Sequence, residues 1–333
     1  MKYAYEISQE RLVPNLTDNP SICIYARPDD REKEELLKEL DVDKLTLESV
    51  LDPDEISRME ISPDRVLIIW KRPDSFLYQN QMAFEVSSFG VVLRPNNLTI
   101  IFAGDMIPLE EKAFQRITSL TDLVLRLFFQ IIHHYLGHLK AIKLISREIQ
   151  SKLNASMENR YLLQMFSLGE DLVYYHNALE ANGAVLVKLR ASAERIGFSR
   201  ADIDMIDDLV IENQQACKEA SIYTTVLSGL MDARGTIINN NMNVLLKNLT
   251  LINVVFLPLN LIASIGGMSE FSTFTHGYNW WVSYGGFSLA MILLGWLTWL
   301  WLNRVINKGS RRVREEDELA AGSRRSGYPR SSL

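Results

Sequence analysis

Residues 248–269 form a run of 22 without a charged side chain, and residues 278–302 form a second run of 25. Each exceeds the ~20 residues that a helix needs to cross a hydrocarbon core of ~30 Å. Five of the six tryptophans sit at the ends of the second run: Trp280 and Trp281 at its start, Trp296, Trp299 and Trp301 towards its end. Amphipathic rings at both ends of one span match the interfacial belts of membrane helices. Two buried core helices would not gather so many indole N–H groups without charged neighbours. Average composition hides this feature, since 47% hydrophobic and 23% charged residues describe an ordinary globular chain and exclude a disordered, collagen-like or disulfide-stapled one. Charge is nonetheless partitioned. The first 247 residues sum to −9, the last 30 sum to +4, and Glu270 is the only Asp, Glu, Lys or Arg between Lys247 and Arg304. An acidic body, an uncharged block and a basic tail point away from a soluble enzyme and towards a membrane protein with a large water-soluble part.

The flanks set an expected orientation. Arg304, Lys308, Arg311, Arg312 and Arg314 follow the second run, Lys247 precedes the first, and the short connection has no Lys or Arg. The positive-inside tendency then predicts both termini on the cytoplasmic side of a bacterial inner membrane, with the loop outside. The start, Met1-Lys2-Tyr3-Ala4-Tyr5-Glu6, has no apolar stretch of the kind that exports a domain. Cys23 and Cys217 suggest a reducing compartment and no disulfide framework.

In the soluble part, residues 21–26, 66–70 and 98–102 are short apolar runs near turn formers, and residues 31–40 and 45–51 alternate as amphipathic helices do. This predicts an N-terminal α/β domain over residues 1–112, within an α+β membrane protein, and leaves the strand order open. From about residue 110 the chain reads as helical, because no proline occurs between Pro108 and Pro258. Breaks are expected near Asn154 and at Gly197. Ser199-Arg200-Ala201-Asp202 then resembles a capping-box start with Asp in place of the usual Glu or Gln. One helix is expected over residues 200–266, about 100 Å long at about 1.5 Å per residue. The expected divisions are long helices over 113–199, a stalk over 200–247, a first span over 248–268, an outer loop over 269–277, a second span over 278–302 and a basic tail over 303–333.

Polar residues fall on one stripe of the long helix. Positions spaced alternately by four and three read Asp232, Thr236, Asn239, Asn243, Leu246, Thr250, Asn253, Leu257, Asn260 and Ser264, eight of ten polar. Up to Ser264 in the uncharged run, Asn248 is the only polar residue off that stripe. A polar face on a membrane helix is hidden from lipid. Either it lines a wet path, or its asparagines pair with neighbouring helices as packing contacts. The wet path is the favoured reading, since neutral amide oxygens with an acid at the cytoplasmic end suit a hydrated cation. Two spans cannot enclose a channel, so conduction requires a homo-oligomer.

These residues resemble the CorA family of divalent-cation transporters. The run Lys247-Asn248-Leu249-Thr250, then Phe256-Leu257-Pro258-Leu259-Asn260-Leu261-Ile262-Ala263-Ser264-Ile265-Gly266-Gly267-Met268-Ser269, follows the family's K-x-L-T…F-x-P-L-T-x-I-A-G-I-Y-G-M-N pattern without gaps over 23 residues. The resemblance implies a funnel-shaped homopentamer in the lipid bilayer, with the first span of each copy on the axis. It implies that Asn260 faces the pore and that Leu246, Leu249 and Leu257 form apolar rings. By the same resemblance Asn243 falls on a polar ring near the gate, Asp232 on an acid at the cytoplasmic mouth, and Asp208 near a metal-sensing acid. Gly267 and Met268 match the first two residues of the Gly-Met-Asn signature. The third is Ser269, and Gly266 stands where the family has Tyr. Serine is shorter and both donates and accepts, while the following Glu270 would concentrate cations at the mouth. The reading is therefore "divalent cation", covering Mg2+, Zn2+, Co2+ or Ni2+, with ZntB-like members showing that the substrate varies within the fold.

Other constellations carry less. His133, His134 and His138 lie on one helix, and the last two are a turn apart, but the surrounding Leu-Phe-Phe-Gln-Ile-Ile pattern is a packing face. His276 reads as an ordinary loop residue. Asp202, Asp204, Asp207, Asp208 and Glu212 crowd the stalk's start, where acids cap a helix; cation sensing between subunits, through Asp204 and Asp208, is the sharper alternative. No glycine-rich phosphate loop, nucleophile elbow or Cys-x-x-Cys is present, so neither an enzyme nor a nucleotide or nucleic-acid binder is expected, and no covalent cofactor. Divalent ions are expected as substrate and regulatory ligand. The rival reading is a non-conducting, membrane-anchored sensor or scaffold for metal or envelope state.

Overall fold

Strand β3 (Ile22–Ala26) is apolar and buried at every position, and its side chains divide alternately between two cores. Ile22 and Ile24 join one cluster, Cys23 and Tyr25 the other. This is the pattern of a strand covered on both faces. The computed structural model describes residues 1–15, 20–78, 81–106, 114, 116–155, 159–267, 273, 276–277, 279, 281–301 and 304.

The other strands are β1 (Lys2–Ser8), β2 (Arg11–Pro14), β4 (Arg58–Ile61), β5 (Val66–Tyr78), β6 (Gln81–Leu93) and β7 (Leu98–Phe102). They form one seven-stranded sheet in the order β2-β1-β3-β7-β6-β5-β4. Among the described residues only β3 and β7 pair in parallel, Ile22 opposite Leu98 through Ala26 opposite Phe102; the other joins are antiparallel. The expected runs at 21–26, 66–70 and 98–102 are thus β3, the start of β5, and β7. The antiparallel hairpin β5–β6 extends the middle run well beyond its apolar part.

Helices α1 (Asp30–Leu40) and α2 (Lys44–Leu51) cover one face through Leu36, Leu40, Leu47 and Val50. Asp29 caps α1 in a reciprocal box: its carboxylate accepts from Glu32 N at 2.7 Å, and Glu32 Oε2 accepts from Asp29 N at 3.0 Å. Asp43 caps α2 by accepting from Thr46 N at 2.9 Å. Such caps satisfy backbone donors that a helix start leaves without partners.

The opposite face is covered by α3 (Leu120–Ala155), α4 (Asn159–Ile196) and the first part of α5 (Arg200–Gly266). Helix α3 begins at Leu120, and residues 116–119 are not helical, while most of the stretch near residue 110 where helix was expected to start lies outside the described residues. Arg116 has a left-handed backbone (φ 62°), and the Ser119 hydroxyl accepts from Asp122 N at 3.0 Å, so the helix starts where its cap is. The break near Asn154 corresponds to the end of α3, and Gly197, at φ 95°, separates α4 from α5. A left-handed residue at this place suits glycine, which has no Cβ to clash. Ser199 and Asp202 form the expected box at the start of α5: Asp202 Oδ2 accepts from Ser199 N at 2.9 Å, and Ser199 Oγ accepts from Asp202 N at 3.2 Å.

Asn182 of α4 is fully buried and joins helix to sheet edge. Its Oδ1 accepts from Lys71 N at 3.0 Å and Ser57 Oγ at 2.7 Å, and its Nδ2 donates to Lys71 O at 2.8 Å. The β4 register ends with Arg58 opposite Ile69, so the side-chain amide continues the ladder where that strand runs out.

The chain divides into two compact units, residues 1–233 and 234–333. The second contains the last part of α5 and a further helix, α6 (Trp281–Trp301).

Candidate functional site

Helices α5 and α6 are both long and apolar enough to cross a membrane. The helix expected over 200–266 matches α5, and it includes Pro258. Proline has no N–H for the carbonyl one turn earlier, a loss that a membrane helix tolerates where neighbours or hydroxyls compensate.

Burial within the second unit distinguishes two faces of α5. Leu251, Val255, Leu259 and Ile262 are part-buried, while Asn243, Leu246, Leu249, Thr250, Asn253, Leu257, Asn260 and Ser264 are exposed. On α6 the part-buried residues include Ser283, Phe287, Met291, Gly295 and Thr298, again one stripe. The stripes meet at Gly295, where an added Cβ would lie 3.2 Å from Leu259 Cδ1. A residue without a side chain lets two apolar helices approach closely. At about 100° per residue, the centre of the polar stripe on α5 lies roughly 180° from the centre of its α6-facing stripe. The polar face therefore points away from the helix that its own chain supplies.

The hydroxyl of Thr250 donates to Leu246 O at 2.8 Å, which satisfies its proton within the helix and leaves its oxygen lone pairs outward. Leu257 is 70% exposed, and Leu246 and Leu249 are similarly open. Gly267 N donates to Ala263 O at 3.1 Å at the end of α5. Met268, Ser269 and Glu270, the rest of the expected outer mouth, lie outside the described residues. Asp232 is exposed on α5.

The acids near the start of α5 have separate environments. Asp202 is buried and accepts from Thr121 Oγ1 of α3 at 3.1 Å besides its cap bonds. Asp207 pairs with Arg190 of α4 at 2.6 Å, and hydrogen bonding to that guanidinium lowers its pKa. Asp204 and Asp208 are exposed, Asp204 lying 3.7 Å from Arg200. Among the described residues, no three His, Cys, Asp or Glu side chains are grouped to hold a metal.

Of the histidines on α3, His138 packs into the core side of the helix, whereas His133 is exposed. His138 Nδ1 lies 2.7 Å from the Tyr175 hydroxyl, its ring meets Phe84 edge-on, and burial lowers its pKa. His133 lies against Phe129 with ring centroids 4.3 Å apart. His276 is exposed, its N–H directed at Thr273 O. The contact face of α6 escaped the sequence reading. A four-residue recurrence at Ser283, Phe287, Met291 and Gly295 was its available signal.

An α/β domain followed by two apolar C-terminal helices, the first bearing a polar face, defines a class of membrane protein. Residues 22–304 match the family of CorA-like Mg2+ transporter proteins, and the chain belongs to that family. The cobalt/magnesium transport protein CorA of Methanocaldococcus jannaschii is 28% identical over 256 residues, 73% of this chain and 77% of the relative. The complete structure of the CorA magnesium transporter from that organism has a TM-score of 0.72 at 23% identity, covering 91% of this chain and 97% of the other. The full-length CmaX protein shares the fold with a TM-score of 0.62 at 14% identity, over 80% of this chain and 86% of its own.

Proposed function

We propose that this protein is a divalent-cation transporter that works as a homo-oligomer, with the polar face of α5 from several copies lining a hydrated path. The observation that carries this reading is the position of that face, roughly 180° from the α6 contact. Amides turned towards lipid are costly, and α6 lies on the wrong side to cover them. Further copies of α5 around a common axis would cover them and keep them wet. Family membership and the cobalt/magnesium relative support a divalent cation as the cargo.

In this proposal Asn243, Asn253, Asn260 and Ser264 line the path, offering neutral oxygens to an ion that keeps much of its water. Leu246, Leu249 and Leu257 form apolar rings that close by dewetting. Gly267, Met268, Ser269 and Glu270 form the outer mouth, and Asp232 lies at the cytoplasmic one. Asp204 and Asp208 sense metal together with acids of a neighbouring copy, because one chain supplies no complete donor set among its described residues. The assembly is a funnel-shaped pentamer in the inner membrane with both termini cytoplasmic, as the family resemblance and the basic flanks suggest. Mg2+, Zn2+, Co2+ and Ni2+ are the candidate ions.

Purified protein in liposomes tests this directly. Flux of at least one of the four ions above empty vesicles, reduced at least about tenfold in Asn260→Leu, is expected. Absence of flux for all four would overturn the proposal and leave a membrane-anchored sensor or scaffold.

A further inference from the structure

The seam between α4 and α5 holds two soft donors that the transport reading does not use. His176 projects from α4 and Cys217 from α5, both part-buried and hence reachable from solvent. Cys217 Sγ lies 3.4 Å from His176 Nδ1, and the same nitrogen is 3.3 Å from Cys217 O. Helix packing on each side fixes the pair. Tyr175 and Leu179 flank His176, Ala216 and Ala220 flank Cys217, and all four are fully buried. One turn before Cys217, Asn213 is buried and ties α5 to α4 by donating Nδ2 to Leu179 O at 2.8 Å.

The separation has a chemical reading. Zinc binds thiolate at about 2.3 Å and imidazole at about 2.0 Å, so neighbouring S and N donors of a tetrahedral site stand about 3.5 Å apart. The observed gap matches that edge. Burial first, and then the negative charge of Glu180, exposed one turn beyond His176, raise the Cys217 pKa, so the metal must displace the thiol proton, and water fills the remaining positions. Thiolate with imidazole selects zinc-like cations, whereas Mg2+ demands an octahedron of oxygens.

We propose that Cys217 and His176 form a binding site for a thiophilic divalent cation of the Zn2+ or Co2+ type, clipping α5 to α4. On binding, the S–H bond breaks and its proton leaves to solvent. The thiolate and the Nδ1 lone pair then take the metal, with His176 in its Nε2–H tautomer. The site is separate from the polar face of α5 and stands whether or not that face conducts.

The full-length, detergent-purified and reduced protein is titrated with Co2+, and thiolate-to-cobalt charge transfer is followed in the near ultraviolet. The expected band saturates at one Co2+ per chain, disappears in Cys217→Ser and weakens at least about tenfold in His176→Gln. It persists in Cys23→Ala, bleaches on addition of Zn2+ and is untouched by excess Mg2+. Zn2+ also raises the thermal midpoint of the wild-type protein and not of Cys217→Ser. No band in the wild type, a band retained in Cys217→Ser, unchanged affinity in His176→Gln, or displacement by Mg2+ would each overturn the site and leave an S–H···N hydrogen bond.

Discussion

Leu259 of α5 lies against Gly295 of α6 so closely that a Cβ at position 295 would stand 3.2 Å from its Cδ1. This contact turns Leu251, Val255, Leu259 and Ile262 towards α6 and leaves Asn253, Asn260 and Ser264 on the far side. The direction of the candidate ion path is in this sense set by a residue that lies on the other helix.

Gly295→Leu should wedge the two helices apart. Overfilling a packed contact costs about 1–3 kcal/mol, so a lower thermal midpoint in detergent is expected. The double variant Gly295→Leu with Leu259→Ala should recover much of that loss, because the space is returned from the opposite side. Additive losses in the double variant would argue against direct packing.

Leu257→Ser should make any apolar constriction at that ring easier to wet. Leu257 is 70% exposed in the single chain, so the substitution leaves no cavity within it. Basal ion flux in liposomes is expected to rise a few-fold, with the yield of folded protein unchanged. Unaltered flux would remove Leu257 from the gate.

Asp171 on α4 titrates at about 6, chiefly because burial disfavours its charged form and despite a hydrogen bond from the Phe84 backbone. A carboxyl whose folded pKa lies above its unfolded value binds more protons folded than unfolded between the two values. Its contribution to stability therefore falls as pH rises from about 4 to about 6 and stays unfavourable above that range. Asp171→Asn keeps an acceptor for the Phe84 N–H and removes the charge. Thermal melts of the full chain should show the variant gaining stability at pH 7.5 and gaining little or none at pH 4; equal gains at both would refute the assignment.

Asn182→Leu should destabilise the first unit by about 3 kcal/mol, since buried partners left without a hydrogen bond cost about 1–3 kcal/mol each. The Lys71 N–H and C=O and the Ser57 hydroxyl all lose their partner. Denaturant unfolding of the full chain checks this, and a change below about 1 kcal/mol would mean that water replaces the amide.

What the sequence alone made legible is local. Two uncharged runs specified two span-length helices, Ser199 and Asp202 marked the start of α5, and Gly197 marked the preceding break. The spacing by four and three placed Asn253, Asn260 and Ser264 on one face. All of these follow from a period of about 3.6 residues or from bonds within one turn.

Only tertiary structure decided which strands are neighbours, where the amide of Asn182 goes, that His176 meets Cys217, and which face of α5 the second helix covers. Lys71 and Asn182 are 111 residues apart, His176 and Cys217 41. Pairings at such separations depend on how whole faces pack. A stripe of polar residues states that something must shelter it, and packing alone determines that α6 of the same chain does not.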